Sequence, residues 1–317
     1  MSYKNKKIAF VFPGQGSQYI GMGIDFYDNN NDFQYIFTNF NDRTNVNLLD
    51  IMRNGPEDTL KETKYTQPAI LAHSMMALET FKKELFIEPD YVAGHSLGEF
   101  TALVASDVID FTEALYLVYK RGEFMIKAND NSSFAMAAIL GLSSDVVKKI
   151  CQDVSIKNLV CAANFNTPMQ TVISGTKEGV DLACKVAKEM NAKRLIPLAV
   201  GGPFHSPLIK NATTWLRGEL NKIKFRDAKY PMIANVDALP ETNSHNIIEN
   251  LEKQVVSPVL WVDTIKYLVS EGVQIYIEFG PQKVLSGMIR QIADNVYIYN
   301  IDKIEEIKIV KKELEDL

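Results

Sequence analysis

Tyr91-Val92-Ala93-Gly94-His95-Ser96-Leu97-Gly98-Glu99 is the stretch on which the reading of this chain turns. A short apolar run leads into a serine set between two glycines at the G-x-S-x-G spacing, and residues 99–105 continue as a helix-compatible stretch. A serine on such a sharp strand-to-helix turn projects its hydroxyl away from the backbone, and small flanking residues let the turn close without clash. The backbone N–H groups at the start of the helix can meet an oxyanion. The turn points to acyl chemistry and leaves open whether the acyl group goes to water or to another acceptor.

Alternating strand and helix patterns surround this turn. Residues 8–12 are a continuous apolar run closed by Pro13-Gly14, which reads as a buried strand before a tight turn. Apolar residues at helical spacing predict a helix over 67–82, with Pro68 in its first turn, and another over 114–125. The middle of the chain changes character. Strands are predicted over 134–140, 159–163, 171–173 and 194–200, helices over 143–152 and 178–190, and a turn at Asn164-Phe165-Asn166-Thr167-Pro168. That β-α-β-β-α-β order belongs to a ferredoxin-like unit. We therefore read 128–200 as a small domain inserted into a larger one made of 1–127 and 201–317. In the larger domain, helices over 209–223, 247–255, 262–271 and 283–292 alternate with a short strand near Ile233 and a strand over 274–279. The expected class is α/β, with a mostly parallel sheet covered on both faces. The Asn/Asp-rich residues 28–32 read as a surface loop, and 303–317 as a charged helix or a frayed tail.

Composition narrows the functional classes. At 317 residues and 46% hydrophobic content the chain can bury a large core. A net charge of −5 and scattered lysines give no basis for nucleic-acid binding. The three cysteines, Cys151, Cys161 and Cys184, form no C-x-x-C pair and are odd in number, as expected for free thiols in a reducing compartment. The apolar run before Pro13 is too short for a signal peptide, and no stretch approaches the length of a membrane span. The expectation is a soluble cytoplasmic protein without a membrane partner.

A serine hydroxyl needs a base at neutral pH, and the chain has only four histidines. His73 lies in an apolar helical stretch and His245 in a polar loop, so both read as structural. His95 directly precedes Ser96 and points away from it on a sharp turn, although it can line the pocket. His205 stands in Gly201-Gly202-Pro203-Phe204-His205-Ser206, a loop leaving the inserted domain, where a side chain faces a cleft more often than a core. It is the candidate base. The turn Gly14-Gln15-Gly16-Ser17-Gln18 is either a tight turn and nothing more, or the source of a second oxyanion donor beside Leu97. Arg121, in Lys120-Arg121-Gly122-Glu123, reads by its neighbours as a solvated helix residue. Its interest is that a guanidinium matches a carboxylate in a planar, bidentate way.

Pro13-Gly14-Gln15-Gly16-Ser17-Gln18, Thr66-Gln67-Pro68-Ala69, Gly94-His95-Ser96-Leu97-Gly98-Glu99, Lys120-Arg121-Gly122, Gly202-Pro203-Phe204-His205-Ser206 and Gly280-Pro281, in this order, resemble the malonyl-CoA:acyl carrier protein transacylases, the acyltransferases of bacterial type II fatty-acid synthesis. The resemblance covers essentially the whole chain. It implies a large α/β-hydrolase-like domain with an inserted ferredoxin-like domain. Ser96 would be acylated, with His205 as general base and then general acid. The amides of Gln15 and Leu97 would form the oxyanion hole, and Arg121 would pair with the free carboxylate of malonate. Gln254 matches the position whose backbone carbonyl orients the histidine, where a hydrolase would keep an acid. Asn164 matches an asparagine near the site, and Phe204 resembles the malonyl-selecting form of the family. The partners implied are malonyl-CoA and acyl carrier protein, whose phosphopantetheine thiol accepts the group. The enzyme would be a monomer that uses no metal or redox cofactor. Met169, Gln282 and Gly201 depart from the family pattern and bear on local loop shape. A free-standing polyketide acyltransferase and a serine thioesterase or esterase are the competing readings.

Overall fold

The computed structural model describes residues 3–129 and 133–317. Among the described residues, ten strands form two sheets. β1 (Lys7–Phe12), β2 (Tyr91–Gly94), β7 (Met232–Ile233), β8 (Pro240–Glu241), β9 (Val273–Phe279) and β10 (Tyr297–Ile301) make a six-stranded sheet in the order β10-β9-β1-β2-β7-β8. Every pairing in it is parallel except that of β7 with β8, at the edge. Edge position also explains why a proline can open β8, since its missing N–H removes no interior ladder bond.

The central strand β1 shows why an uninterrupted apolar run was needed. Ile8, Phe10 and Phe12 face one hydrophobic cluster, while Ala9 and Val11 face another around Trp261, Ile265 and Tyr276. Side chains alternate along a strand, so a sheet covered on both faces must be apolar at every position. Phe10, Phe81 and Phe279 meet edge to face beneath the sheet, at ring separations of 4.9–6.2 Å.

The second sheet contains β3 (Phe134–Leu140), β4 (Val160–Thr167), β5 (Gln170–Thr176) and β6 (Arg194–Pro197) in the order β4-β5-β3-β6, all antiparallel. The Ser144–Ser155 and Lys177–Glu189 helices pack on one face around Ile139, Val147, Ile173 and Val180. This is the ferredoxin-like order; of the proposed insert 128–200, residues 130–132 lie outside the described residues.

Several local expectations are corrected. The helix containing Pro68 is Thr63–Glu84, so the proline falls in its second turn rather than its first. Residues 164–167 are not a turn but the end of β4, with register shifts on both sides of Asn164 and Phe165; the hairpin is only Pro168 and Met169. Their polar side chains masked a strand whose face lines a pocket. β6 stops at Pro197, and residues 198–200 run on without pairing as strand. The expected helix over 209–223 is a short 3-10 turn, Pro207–Ile209, followed by Asn211–Leu220. His245 lies in the Ser244–Gln254 helix rather than in a loop. β10 and the four short helices between Ile24 and Lys61 were not anticipated, and the tail forms a regular Ile304–Glu315 helix.

Candidate active site

The in-register pairing Phe12↔Gly94 ends β1 and β2 side by side, so the turns that follow them meet. His95 N–H donates to the Phe12 carbonyl at 3.0 Å. Both glycines of the serine turn are dictated by close approach. A Cβ at Gly94 would lie 1.9 Å from the Gly98 carbonyl, and one at Gly98 would lie 2.0 Å from the Phe12 oxygen. Ser96 itself sits at φ 52°, ψ −101°, a strained conformation for a residue with a side chain. The surroundings over-determine it. Its N–H donates to Asn235 Oδ1 at 2.7 Å, and Asn235 Nδ2 donates to the Gly94 carbonyl at 2.7 Å. From the other side, Gln254 Nε2 donates to the Ser96 carbonyl at 2.9 Å.

His205 reaches Ser96 from the loop after β6, also at positive φ (56°). Its Nδ1 lies 3.0 Å from the carbonyl of Gln254 and 3.0 Å from that of Ser257. Carbonyls only accept, so Nδ1 carries the proton. The lone pair on Nε2 then faces Ser96 Oγ at 2.8 Å, and the hydroxyl donates to it. Burial, reinforced by the nearby Arg121 cation, pushes the imidazole pKa down to about 3. The His205 imidazole is neutral at pH 7.

Arg121 overturns the solvated reading of its sequence neighbourhood, being only 1% exposed. Gly122 makes this possible. It lets the Phe111–Lys127 helix press against the backbone of Thr63 and Lys64, where a Cβ would stand 2.7 Å from Lys64 Cα. The guanidinium lies over the Phe100 ring, donates to Gln67 Oε1 and Gln254 Oε1 at 2.8 Å each, and reaches Ser96 Oγ at 3.1 Å. Burial lowers its pKa to about 10, which leaves it cationic. All these hydrogen-bond partners are neutral. The site thus holds a fixed positive charge one hydrogen bond from Ser96 Oγ, which suits a bound group that ends in an anion.

Ser96, His205, Arg121, Gln15, Leu97, Phe204, Asn164 and His95 line one pocket of about 120 Å³. Met136 on β3 and Asn164 on β4 bring the smaller sheet to it, opposite the serine turn. Leu97 is the first residue of its helix, so its N–H has no intrahelical acceptor and is available to a ligand. Gln15 stands beside it on the neighbouring turn. His95 faces away from Ser96, with Nε2 bonded to Asn166 Oδ1 at 2.9 Å. Gln254 meets His205 through its backbone while its side chain spans Arg121 and Ser96. Gln67, Asn235, Asn166 and the side chains of Gln254 and Glu99 were missed as site residues. Gln67 and Glu99 stood inside quoted motifs, but nothing local marks an Asn or Gln as a partner of a distant backbone. Cys161 lies against the His205 carbonyl, and burial raises its thiol pKa to about 11, far from a thiolate nucleophile. No metal-holding cluster of His, Cys, Asp and Glu occurs among the described residues.

Residues 9–315 match the acyl transferase domain family. The malonyl CoA-acyl carrier protein transacylase of Bacillus subtilis (strain 168) is 43% identical over 311 residues, covering 98% of each chain. That of Staphylococcus aureus (strain MRSA252) is 41% identical over 303 residues, covering 95% of this chain and 97% of its own. The chain belongs to the malonyl CoA-acyl carrier protein transacylase family. Solved transacylases of this family share its fold. The Coxiella burnetii structure matches at a TM-score of 0.93 with 36% identity, over 98% of both chains. PlMCAT, solved with the type II polyketide acyl carrier protein AntF, matches at 0.92 with 35% identity, over 97% of this transacylase-family chain and 99% of its own.

Proposed function

We propose that this chain transfers the malonyl group from malonyl-CoA to the phosphopantetheine thiol of acyl carrier protein, in the cytoplasm and for fatty-acid synthesis. One observation carries the reading: base, nucleophile and buried cation converge on a single atom. Ser96 Oγ is 2.8 Å from His205 Nε2 and 3.1 Å from Arg121 Nη2.

The steps follow from that geometry. Arg121 takes the free carboxylate of malonyl-CoA and so sets the thioester carbon over Ser96. Ser96 Oγ attacks this carbon as its proton passes to His205 Nε2. The N–H groups of Gln15 and Leu97 stabilise the developing oxyanion, a kind of contact worth about 10²–10³ in turnover. The C–S bond breaks and His205 returns the proton to the CoA sulfur. In the second half, the carrier thiol gives its proton to His205 and attacks the malonyl-serine ester, and Ser96 leaves reprotonated. The steps draw only on side chains and amides of this chain. Phe204 stands at the pocket wall, where its ring limits room for an α-substituent on the acyl group.

The test is to incubate the protein with labelled malonyl-CoA, locate the added mass, and then supply holo carrier protein. Label on Ser96 that moves to the carrier is expected, with malonyl preferred over acetyl- and methylmalonyl-CoA as competitors. Transfer without label on Ser96 would sink the mechanism. Release of free malonate at the same rate without a carrier would make the protein a hydrolase.

A further inference from the structure

Glu99 closes the motif that builds the serine turn, yet no step above uses it. It is the third residue of the Leu97–Ala105 helix and is 3% exposed. Its Oε2 accepts from Gln254 Nε2 at 2.8 Å and from the Asn235 N–H at 3.2 Å. The opposite end of the Gln254 carboxamide, Oε1, accepts from Arg121 Nη2 at 2.8 Å. One neutral amide therefore spans a buried acid and a buried cation. Turned over, it would set its NH₂ against guanidinium donors and its oxygen against a carboxylate, so the two charges hold it one way round. The same amide fixes the Ser96 carbonyl, and the backbone of the same residue holds His205.

We propose that Glu99 is the resident counter-charge of Arg121 and a positioning residue for the acyl group, taking up a proton when the acyl carboxylate replaces it as the anion that Arg121 balances. This rests on the malonyl-transfer reading. The charged groups that act on Glu99 are Arg121 from the Phe111–Lys127 helix and Asp237 from the loop after β7, and the two imidazoles of the site, His205 and His95, line the pocket beside Ser96. Arg121 favours the carboxylate and Asp237 disfavours it, while the imidazoles are held neutral by burial. A buried site with one cation and two anions is unbalanced. Burial already pushes Glu99 up to a pKa of about 7, so it is the group that yields by accepting a proton. The protonated acid can keep both hydrogen bonds at Oε2 and carry its proton on Oε1.

Exchange of malonyl from CoA to serine neither consumes nor releases protons by itself, so uptake can be read directly. The experiment follows a pH indicator during acylation by malonyl-CoA at pH 7.5 in weak buffer, with label on Ser96 counted in parallel. Acetyl-CoA serves as the acyl donor without a carboxylate, and Glu99→Gln as the variant that keeps the oxygen acceptor but cannot titrate. Expected are uptake of a fraction of a proton per labelled serine with malonyl-CoA, none with acetyl-CoA, and none in Glu99→Gln. The variant should also lower the KM for malonyl-CoA severalfold relative to that for acetyl-CoA, because the competing anion is gone. Full labelling of the wild type without uptake, or equal uptake from acetyl-CoA, overturns the proposal, and both readings need only the wild type. Unchanged uptake in a folded Glu99→Gln overturns it as well. Absence of label on wild-type Ser96 is a failure of the malonyl-transfer reading instead.

Discussion

An imidazole held by two carbonyls behaves differently from one held by a carboxylate. Gln254 and Ser257 fix the tautomer of His205 without offering a negative charge to an imidazolium, and Arg121 lies close enough to oppose one. The consequence is a pH profile. Because the folded-state pKa of His205 is depressed from 6.5 to about 3, the base stays unprotonated as the pH falls through the ordinary histidine range. We expect kcat/KM for acylation by malonyl-CoA not to fall between pH 8 and below pH 6, the only change being a severalfold rise as Glu99 protonates; a falling acidic limb with apparent pKa near 6.5 would contradict the buried geometry. For Arg121→Ala, loss of a charged contact worth about 1.5–3 kcal/mol should lower malonyl transfer relative to acetyl transfer by roughly one to two decades. The ratio of kcat/KM values for the two donors checks this, and an unchanged ratio removes Arg121 from carboxylate recognition. These residues were legible to different degrees. Ser96 announced itself through its turn, and His205 emerged because so few histidines compete with it. Arg121 was not legible from its surroundings, since the groups that bury it, Gln67 and Gln254, lie 54 and 133 residues away in sequence. Resemblance alone pointed to it.

At the scale of elements, the serine turn is a packing solution before it is a catalytic one. Gly98→Ala would drive a methyl group to 2.0 Å from the Phe12 oxygen, and that neighbour is backbone at the end of the central strand. The strand cannot yield without disturbing β1 and the oxyanion turn after it. We expect Gly98→Ala to be among the rare substitutions costing more than about 4 kcal/mol, read as loss of cooperative folding or a large fall in Tm. Gly218→Ala is the contrasting case. It sits in the Asn211–Leu220 helix with open space around its Cβ and an ordinary φ, so it should raise stability by up to about 1 kcal/mol. Equal effects of the two changes in thermal melts would refute the steric account. Alternation of buried strands with amphipathic helices was readable because period and apolarity carry that signal. The end of β4 was not, because Asn164 and Asn166 are strand residues whose side chains serve a pocket and a neighbouring histidine, and the Thr167 hydroxyl accepts from the hairpin N–H of Met169. Polar content there looked like a turn. β10 was missed for a related reason: Tyr297 is exposed and Asn300 polar, which dilutes the apolar run expected of a sheet strand.

At the scale of the molecule, the site exists because two sheets are held at a fixed distance. The serine turn comes with the larger sheet and His205 with the loop that leaves β6 and is held on the carbonyls of Gln254 and Ser257, whereas Met136 and Asn164 come with the smaller sheet. Backbone bonds tie them together: Phe165 N–H donates to the Val259 carbonyl and Val259 N–H to the Ala163 carbonyl, each at 2.9 Å. One side-chain bond crosses beside the nucleophile, from His95 Nε2 to Asn166 Oδ1. Asn166 is buried and His95 partly so, and burial lowers the His95 pKa, so this histidine is neutral and uses its single N–H on Asn166. Asn166→Ala leaves that donor unsatisfied, a loss of about 1–3 kcal/mol. The loss falls at the junction rather than in either core, so the backbone bonds through Val259 should keep unfolding a single transition at a Tm lower by a few degrees. Catalytic groups keep their positions, while the pocket wall that confines the acyl chain loosens. The expected kinetic signature is therefore a raised KM for malonyl-CoA with a smaller change in kcat. A double-mutant cycle with His95→Ala isolates the bond itself, because once His95 is gone the further cost of Asn166→Ala should shrink to a few tenths of a kcal/mol. Additive losses in that cycle would mean that the two sheets are not coupled through this pair.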